Sequence, residues 1–517
     1  MAFQGSFWAI SLLIFLANFL SMIEFSLAAN AKVPSHTISN PFNRTIFSPD
    51  FLFGASTSSY QYEGAWNEDG KGPSIVDTFV HTHPEKILDR SNGDIALDFY
   101  HRYKEDVKLA KFEGLDAFRI SIAWTRILPE GQVKKGVNQA GIDHYNSLIN
   151  EIVALGIKPL VTLFHWDLPQ ALEDEYLGFL SRKIVDDYVD FVEICFKNFG
   201  DRVKLWATMN EPWIFTSTGY DSGSLAPGRC SAWMNSNCTI GNSGTEPYIA
   251  GHNILLAHAA ASKLYRKKYK PIQKGQIGTI VVSHWFEPAS NKPQDKKASI
   301  RALDFMLGWF MHPLTYGDYP ISMRKLVGKR LPKFTPKESM LVKDSCDFIG
   351  LNYYTSNFAA HISNPPNTVN ISSGTDNLVN QTTSRNGKLI GDPTGVSIFY
   401  VAPKGLYKLL VYIKKFYKNP IVYITECGMG ESNIDDVAKG INDAQRVDFY
   451  QRHIKALYRA FREGVHVKGF FAWSFFDNFE WGSGYTQRFG INFVDYKNNL
   501  KRYPKRSALW MKKFLLK

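Results

Sequence analysis

Cysteine is scarce in this chain, with five residues among 517. Five are too few for a disulfide scaffold, and their spacings are not those of a zinc site. Beyond the N-terminus no apolar run supplies the ~20 residues that a membrane span needs. No glycine-rich phosphate turn follows the first strand-like run, where Phe53-Gly54-Ala55-Ser56 stands instead. That argues against a doubly wound nucleotide-binding sheet. Internal repeats and an interdomain linker are missing too: the most polar stretch, from His361 to Val396, reads as a long surface loop. The net charge is +12, but the basic residues are scattered, with no recognition helix or RNA-binding motif beside them. The excess reads as a solvated surface rather than a nucleic-acid site. No metal, nucleotide or flavin motif is present, and no cofactor is expected.

What the chain does have is apolar and aromatic mass. At 44% hydrophobic and 14% aromatic residues it can bury a large core. The apolar N-terminus from Phe7 to Leu20, followed by small-x-small triplets, has the form of a secretory signal peptide. We expect residues 1–31 to be removed, with cleavage near Ala28 or Ala31, leaving 32–517 as one catalytic domain. Sequons at Asn43, Asn237, Asn370 and Asn380 agree with a secretory route. Cys230 and Cys238 flank a short polar loop, so a local disulfide is expected there in an oxidising compartment. Cys195 falls in an apolar helical pattern, while Cys346 and Cys427 remain free thiols.

Eight apolar strand candidates, at 51–56, 117–123, 159–164, 205–209, 276–283, 348–352, 421–425 and 469–474, alternate with helical patterns. Ile95, Phe99, Tyr103 and Val107 keep helical spacing up to Gly114; Ile142, Tyr145, Ile149, Ile152 and Val153 do the same before Gly156. The pattern predicts an α/β fold: a single (β/α)8 TIM barrel with extended loops at its C-terminal face. Functional residues of such a barrel collect where its strands end. Those positions hold Gln61, Trp124, His165-Trp166-Asp167, Asn210-Glu211, Asn352 and Tyr354, Glu426 and Trp473. Glu211 and Glu426 are the two glutamates that end strands, and a pair of carboxyl groups across one site is what cleavage of a glycosidic bond requires.

Several ordered motifs then become informative: Tyr60-Gln61-Tyr62-Glu63-Gly64, Phe118-Arg119-Ile120-Ser121, His165-Trp166-Asp167-Leu168-Pro169, Asn210-Glu211-Pro212, Asn352-Tyr353-Tyr354 and Ile424-Thr425-Glu426. From about Phe51 onward the chain resembles glycoside hydrolase family 1, the β-glucosidases, and within it the secreted plant group that also contains diglycosidases. The resemblance implies Glu211 as acid/base and Glu426 as nucleophile, with Arg119, Asn352 and Tyr354 in support. It implies Gln61, His165, Asn210, Tyr354, Glu480, Trp481 and Phe489 as sugar-binding residues and Trp473 as an aromatic floor. The partner it implies is a small-molecule β-glucoside, without nucleic acid or stable membrane insertion; self-association is left open. The implied location is the secretory pathway, ending in the apoplast or vacuole. Two positions depart from the family pattern. Cys427 stands where Asn is usual, and Phe399 replaces a common tryptophan on the aglycone side. Gly482, directly after Trp481, has two readings: room for a second sugar on the glucose 6-hydroxyl, or a small residue that only serves loop packing.

Overall fold

The computed structural model describes residues 42–235, 237–363 and 370–516. The expected signal peptide lies outside the described residues. One compact unit begins at Arg44 and runs to the C-terminus. Its centre is a closed barrel of eight parallel strands: β1 (Leu52–Ser56), β2 (Ala117–Ser121), β3 (Lys158–Thr162), β4 (Leu205–Asn210), β5 (Gln276–Val282), β6 (Phe348–Tyr353), β7 (Val422–Cys427) and β8 (Val467–Ala472). Each pairs with its sequence neighbours, and β1 closes on β8 through Leu52↔Gly469 to Ala55↔Ala472.

The barrel interior is layered by polarity. Leu52, Ala117, Leu160, Leu205, Ile280, Phe348, Tyr423 and Phe471 form one buried cluster at its apolar end. Alternate residues of a strand face opposite sides, so the inward positions farther along each strand meet at the other end. There the inward side chains turn polar and charged. Ladder irregularities fall beside two of them, between Ala207 and Asn210 on β4 and between Ile424 and Glu426 on β7. Such shifts re-aim the side chains that follow them.

The helical spacing was right in type and off at the edges. Helix α1 (Phe99–Phe112) starts four residues after Ile95, because Ala96 and Asp98 adopt left-handed backbone angles that a helix cannot continue through. Ile95 is 66% exposed as a result. Helix α2 (Gln139–Ala154) buries Ile142, Tyr145, Ile149 and Ile152, while Val153 faces solvent. The stretch read as a long loop is more ordered than expected. Val379–Thr382 pairs antiparallel with Ser356–His361, and Ser384–Arg385 turns back on Lys388–Leu389 through Asn386-Gly387, both at positive φ. Cys230 and Cys238 form the disulfide, with Cα atoms 5.5 Å apart, and Cys195, Cys346 and Cys427 are free. Asn237, Asn370 and Asn380 are exposed. No helix among the described residues is long and apolar enough to cross a membrane.

Candidate active site

Glu211 follows the last residue of β4 at φ 42°, a left-handed conformation that non-glycine residues adopt rarely. Two constraints hold it there: its N–H donates to Ile280 O at 3.0 Å, and Pro212 opens the next helix (Pro212–Gly219). Glu426 lies within β7 and points into the barrel. Its neighbour Cys427 therefore faces outward, beside Tyr353 and Tyr450 and fully buried. Burial pushes the Cys427 thiol far above its usual range, which removes it as a nucleophile.

A continuous set of hydrogen bonds links the two carboxyl groups. The Arg119 guanidinium donates to Glu426 Oε1 and, at 2.7 Å, to Asn210 Oδ1; its Nε donates to Thr162 Oγ1 at 2.9 Å. Tyr354 OH donates to Glu426 Oε2. On the other side Asn352 Nδ2 donates to Glu211 Oε1 at 2.7 Å and to Asn210 Oδ1 at 3.3 Å, while Thr425 Oγ1 donates to Asn352 Oδ1 at 2.7 Å. Glu426 is thus held by one cation and one hydroxyl, and Glu211 by one neutral amide. Burial first, and then the charge of Glu426, push the Glu211 carboxyl well above the usual range. The two glutamates thus share one buried hydrogen-bonded cluster and have different electrostatic support.

Around them lie groups with unused hydrogen-bonding capacity. Asn210 Nδ2 donates to His165 Nε2 at 3.1 Å, which leaves the proton on Nδ1. That nitrogen is buried without a partner among the described residues, and burial together with the Arg119 charge keeps the ring neutral. Glu480 Oε2 is likewise without a partner, and its carboxyl is pushed up to about 8 by burial and by the Glu426 charge. Trp481 stacks on His165 with centroids 6.0 Å apart, and Trp473 stacks on the same ring at 6.2 Å. Indole faces and open polar atoms together suit a ring that presents hydroxyls at its edge and C–H groups on its face.

Beside this polar centre lies an apolar cleft, lined by Phe79, Ile87, Phe215, Leu225, Trp166 and Trp481 among others. Phe215 and Thr218 come from the helix that starts immediately after Glu211. The cleft therefore lies on the Glu211 side of the site.

A family model described as glycosyl hydrolase family 1 matches residues 43–517. The chain belongs to glycosyl hydrolase family 1. It is 56% identical over 500 residues to furcatin hydrolase of Viburnum furcatum, covering 94% of this chain and 92% of that protein. It is 57% identical over 479 residues to β-glucosidase 12 of Oryza sativa subsp. indica, covering 92% of this chain and 94% of the other. A rice β-glucosidase mutant solved in covalent complex with glucose superposes with a TM-score of 0.90 at 49% identity, covering 92% of this chain and all of that one. The barrel and the glycosidase class expected from the sequence agree with these relatives.

In this glycosyl hydrolase the structure brings Arg119, His165, Asn210, Glu211, Asn352, Tyr354 and Glu426 into one hydrogen-bonded cluster, while four other expected residues are placed differently. The Gln61 amide is turned into the protein: Nε2 donates to Asn478 Oδ1 and Phe479 O, both at 2.9 Å, and Oε1 accepts from Ser58 Oγ at 2.7 Å. It anchors the segment that carries Glu480. Phe489 is 3% exposed and lies edge-on to Tyr354 in a cluster with Trp473, so it fixes the tyrosine ring from behind. Phe399 stacks on Tyr354 at 5.3 Å rather than lining the apolar cleft. Trp124, at the end of β2, is also outside the site, stacked on Phe191 and donating to Gly131 O. Sequence reasoning missed Thr162 and Asn478, whose roles exist only through tertiary partners. It missed the cleft as well, because Phe79 of the helix Ile75–Thr82, Ile87 of the loop after it and Leu225 are brought together with Phe215 and Trp481 only by the fold.

Proposed function

We propose that this glycosyl hydrolase is a retaining β-glucosidase in which Glu426 is the nucleophile and Glu211 the acid and then the base. The observation that carries the reading is the bridge from Glu426 through Arg119, Asn210 and Asn352 to Glu211. In the first half-reaction Glu426 attacks the anomeric carbon and forms a glucosyl ester as the bond to the leaving oxygen breaks. Glu211 gives that oxygen its proton. Esterification removes the Glu426 charge that helped to hold the Glu211 proton, so Glu211 becomes able to accept one. Water then gives Glu211 a proton, its oxygen attacks the anomeric carbon and the ester bond breaks. Asn210 Nδ2 has one N–H left after binding His165, suited to the sugar 2-hydroxyl. The rice relative solved in covalent complex with glucose supports a covalent intermediate. Proton NMR of the nascent product from an aryl β-glucoside tests the reading. β-Glucose appearing before α-glucose is expected; α-glucose first would exclude retention.

A second reading, cleavage of 6-O-glycosylated glucosides, is favoured by one local observation. A Cβ at Gly482 would meet nothing closer than Lys86 O at 3.8 Å and Leu225 Cδ2 at 3.9 Å, so the wall beside Trp481 is open. Filling that space with Gly482→Phe should reduce the ratio of diglycoside to monoglucoside hydrolysis by about tenfold, the scale of a steric mismatch in a pocket. An unchanged ratio, or a wild-type protein inert toward the diglycoside, would remove this reading.

A further inference from the structure

The segment that leads from β8 to Glu480 and Trp481 is clamped from behind by Asn492. Phe475 O accepts twice from this buried residue, from its backbone N–H at 3.0 Å and from Nδ2 at 3.1 Å. Asp477 N–H in turn donates to Asn492 O at 3.0 Å. Just beyond, Asn478 and Phe479 receive the two Gln61 N–H groups. The clamp has one unfinished edge, for Asn492 Oδ1 has no hydrogen-bond partner among the described residues. Next to it is Glu113, which caps the C-terminal end of α1 and is fully buried, its two carboxyl oxygens having no neighbour to bond other than the Asn492 amide among the described residues.

These unmatched atoms are chemically complementary. A neutral carboxylic acid and a primary amide pair edge to edge, the acid O–H donating to the amide oxygen and an amide N–H donating to the acid carbonyl. Asn492 Nδ2 uses one N–H on Phe475 and keeps the other for such a partner. A carboxylate has no proton to give and would set its charge against Oδ1 in a dry site. We propose that Glu113 is held as a neutral carboxylic acid paired with the Asn492 amide, and that the pair is a positioning device for residues 475–481 of the sugar site. Burial pushes the Glu113 carboxyl up to about 8, against smaller pulls toward the charged form from the Asn492 amide and the Lys512 ammonium. Lys512 approaches from the C-terminal helix (Arg506–Leu515), its Nζ over the Phe112 ring; among the described residues no other charged group acts on Glu113.

A folded-state value above the unfolded one makes the stabilisation complete below pH 4.5 and lost progressively by about pH 8. Glu113→Gln keeps an amide edge for Asn492 and cannot ionise. Its melting temperature should match wild type near pH 4.5 and exceed it by on the order of 5 °C at pH 8. The wild-type-minus-variant infrared difference spectrum at pH 6 should show the loss of a protonated carboxyl band. Parallel melting profiles, or loss of a carboxylate band instead, would overturn the proposal. Neither readout depends on the proposed activity. The kinetic part rests on the β-glucosidase reading: Asn492→Leu should raise KM for a β-glucoside severalfold at pH 6 with a smaller change in kcat. An unchanged KM would exclude the positioning role.

Discussion

Replacing Glu426 with Ala should lower kcat for an aryl β-glucoside by on the order of 10⁵-fold, because the covalent route then has no nucleophile. The same replacement leaves a hole on one face of the anomeric carbon, still flanked by the Arg119 guanidinium and the Tyr354 hydroxyl that now hold Glu426. Azide is small and anionic, and it fits such a hole. It would attack the substrate from the face opposite the leaving group, while Glu211 remains to protonate the departing oxygen. The expected product is α-glucosyl azide, identified by NMR, with substantial recovery of rate. A variant as active as wild type without azide would remove the nucleophile assignment.

Glu211→Gln should show a different pattern, since this residue acts on both the departing oxygen and the incoming water. For a glucoside with a poor, strongly basic leaving group, kcat/KM should fall by ~10²–10⁴-fold, the usual scale of general acid catalysis. For an activated aryl glucoside the first step needs little proton assistance, so the intermediate should accumulate and its hydrolysis should limit the rate. Azide then attacks the glucosyl ester itself, and the expected product is β-glucosyl azide. The two variants are distinguished by the anomer that they yield as well as by their rates. The pH profile separates them further. Glu211 must carry its proton for the first step, so wild-type kcat/KM falls as pH rises through its raised pKa. In the Gln variant this alkaline fall should disappear. Stability follows the same sign, since a carboxyl with a raised folded-state pKa costs stability at pH values above its unfolded one. The Gln variant should accordingly melt at a higher temperature than wild type at neutral pH. A variant that kept the alkaline fall would show that another group controls it; Glu480, pushed up to about 8, is the next to examine.

Much of this architecture was legible because barrel strands, buried on both faces, leave continuous apolar runs in sequence. Leu205 to Met209 and Ile421 to Thr425 are such runs, and each delivers its glutamate to the same end of the barrel. Strand ends were misjudged by a residue or two, and Ile95 was taken into a helix that local backbone angles exclude. Side-chain direction was less legible. Gln61 and Phe489 lie in the expected places yet serve the site from behind, because their partners, Asn478 and Tyr354, are remote in sequence. The buried ions that hold the loop after β8 were not legible at all. Asp477 takes Lys505 at 2.7 Å and Arg488 at 2.9 Å, with every partner fully or almost fully buried, and in sequence such lysines and arginines look like surface charge. Glu113 was no more legible than these ions: in sequence it is one more acidic residue near the end of an amphipathic helix, until its burial and its unmatched neighbour are seen together.

The central claim is that Glu426 becomes covalently attached to glucose. Incubation with a 2-deoxy-2-fluoro-β-glucoside carrying a good leaving group tests it most directly, since the fluorine slows both steps and the leaving group spares only the first. Peptide mass spectrometry of the inactivated protein should find one fluoroglucosyl group, on Glu426. A label on another residue, Glu211 included, or turnover with no covalent adduct and an inverted product, would contradict the account.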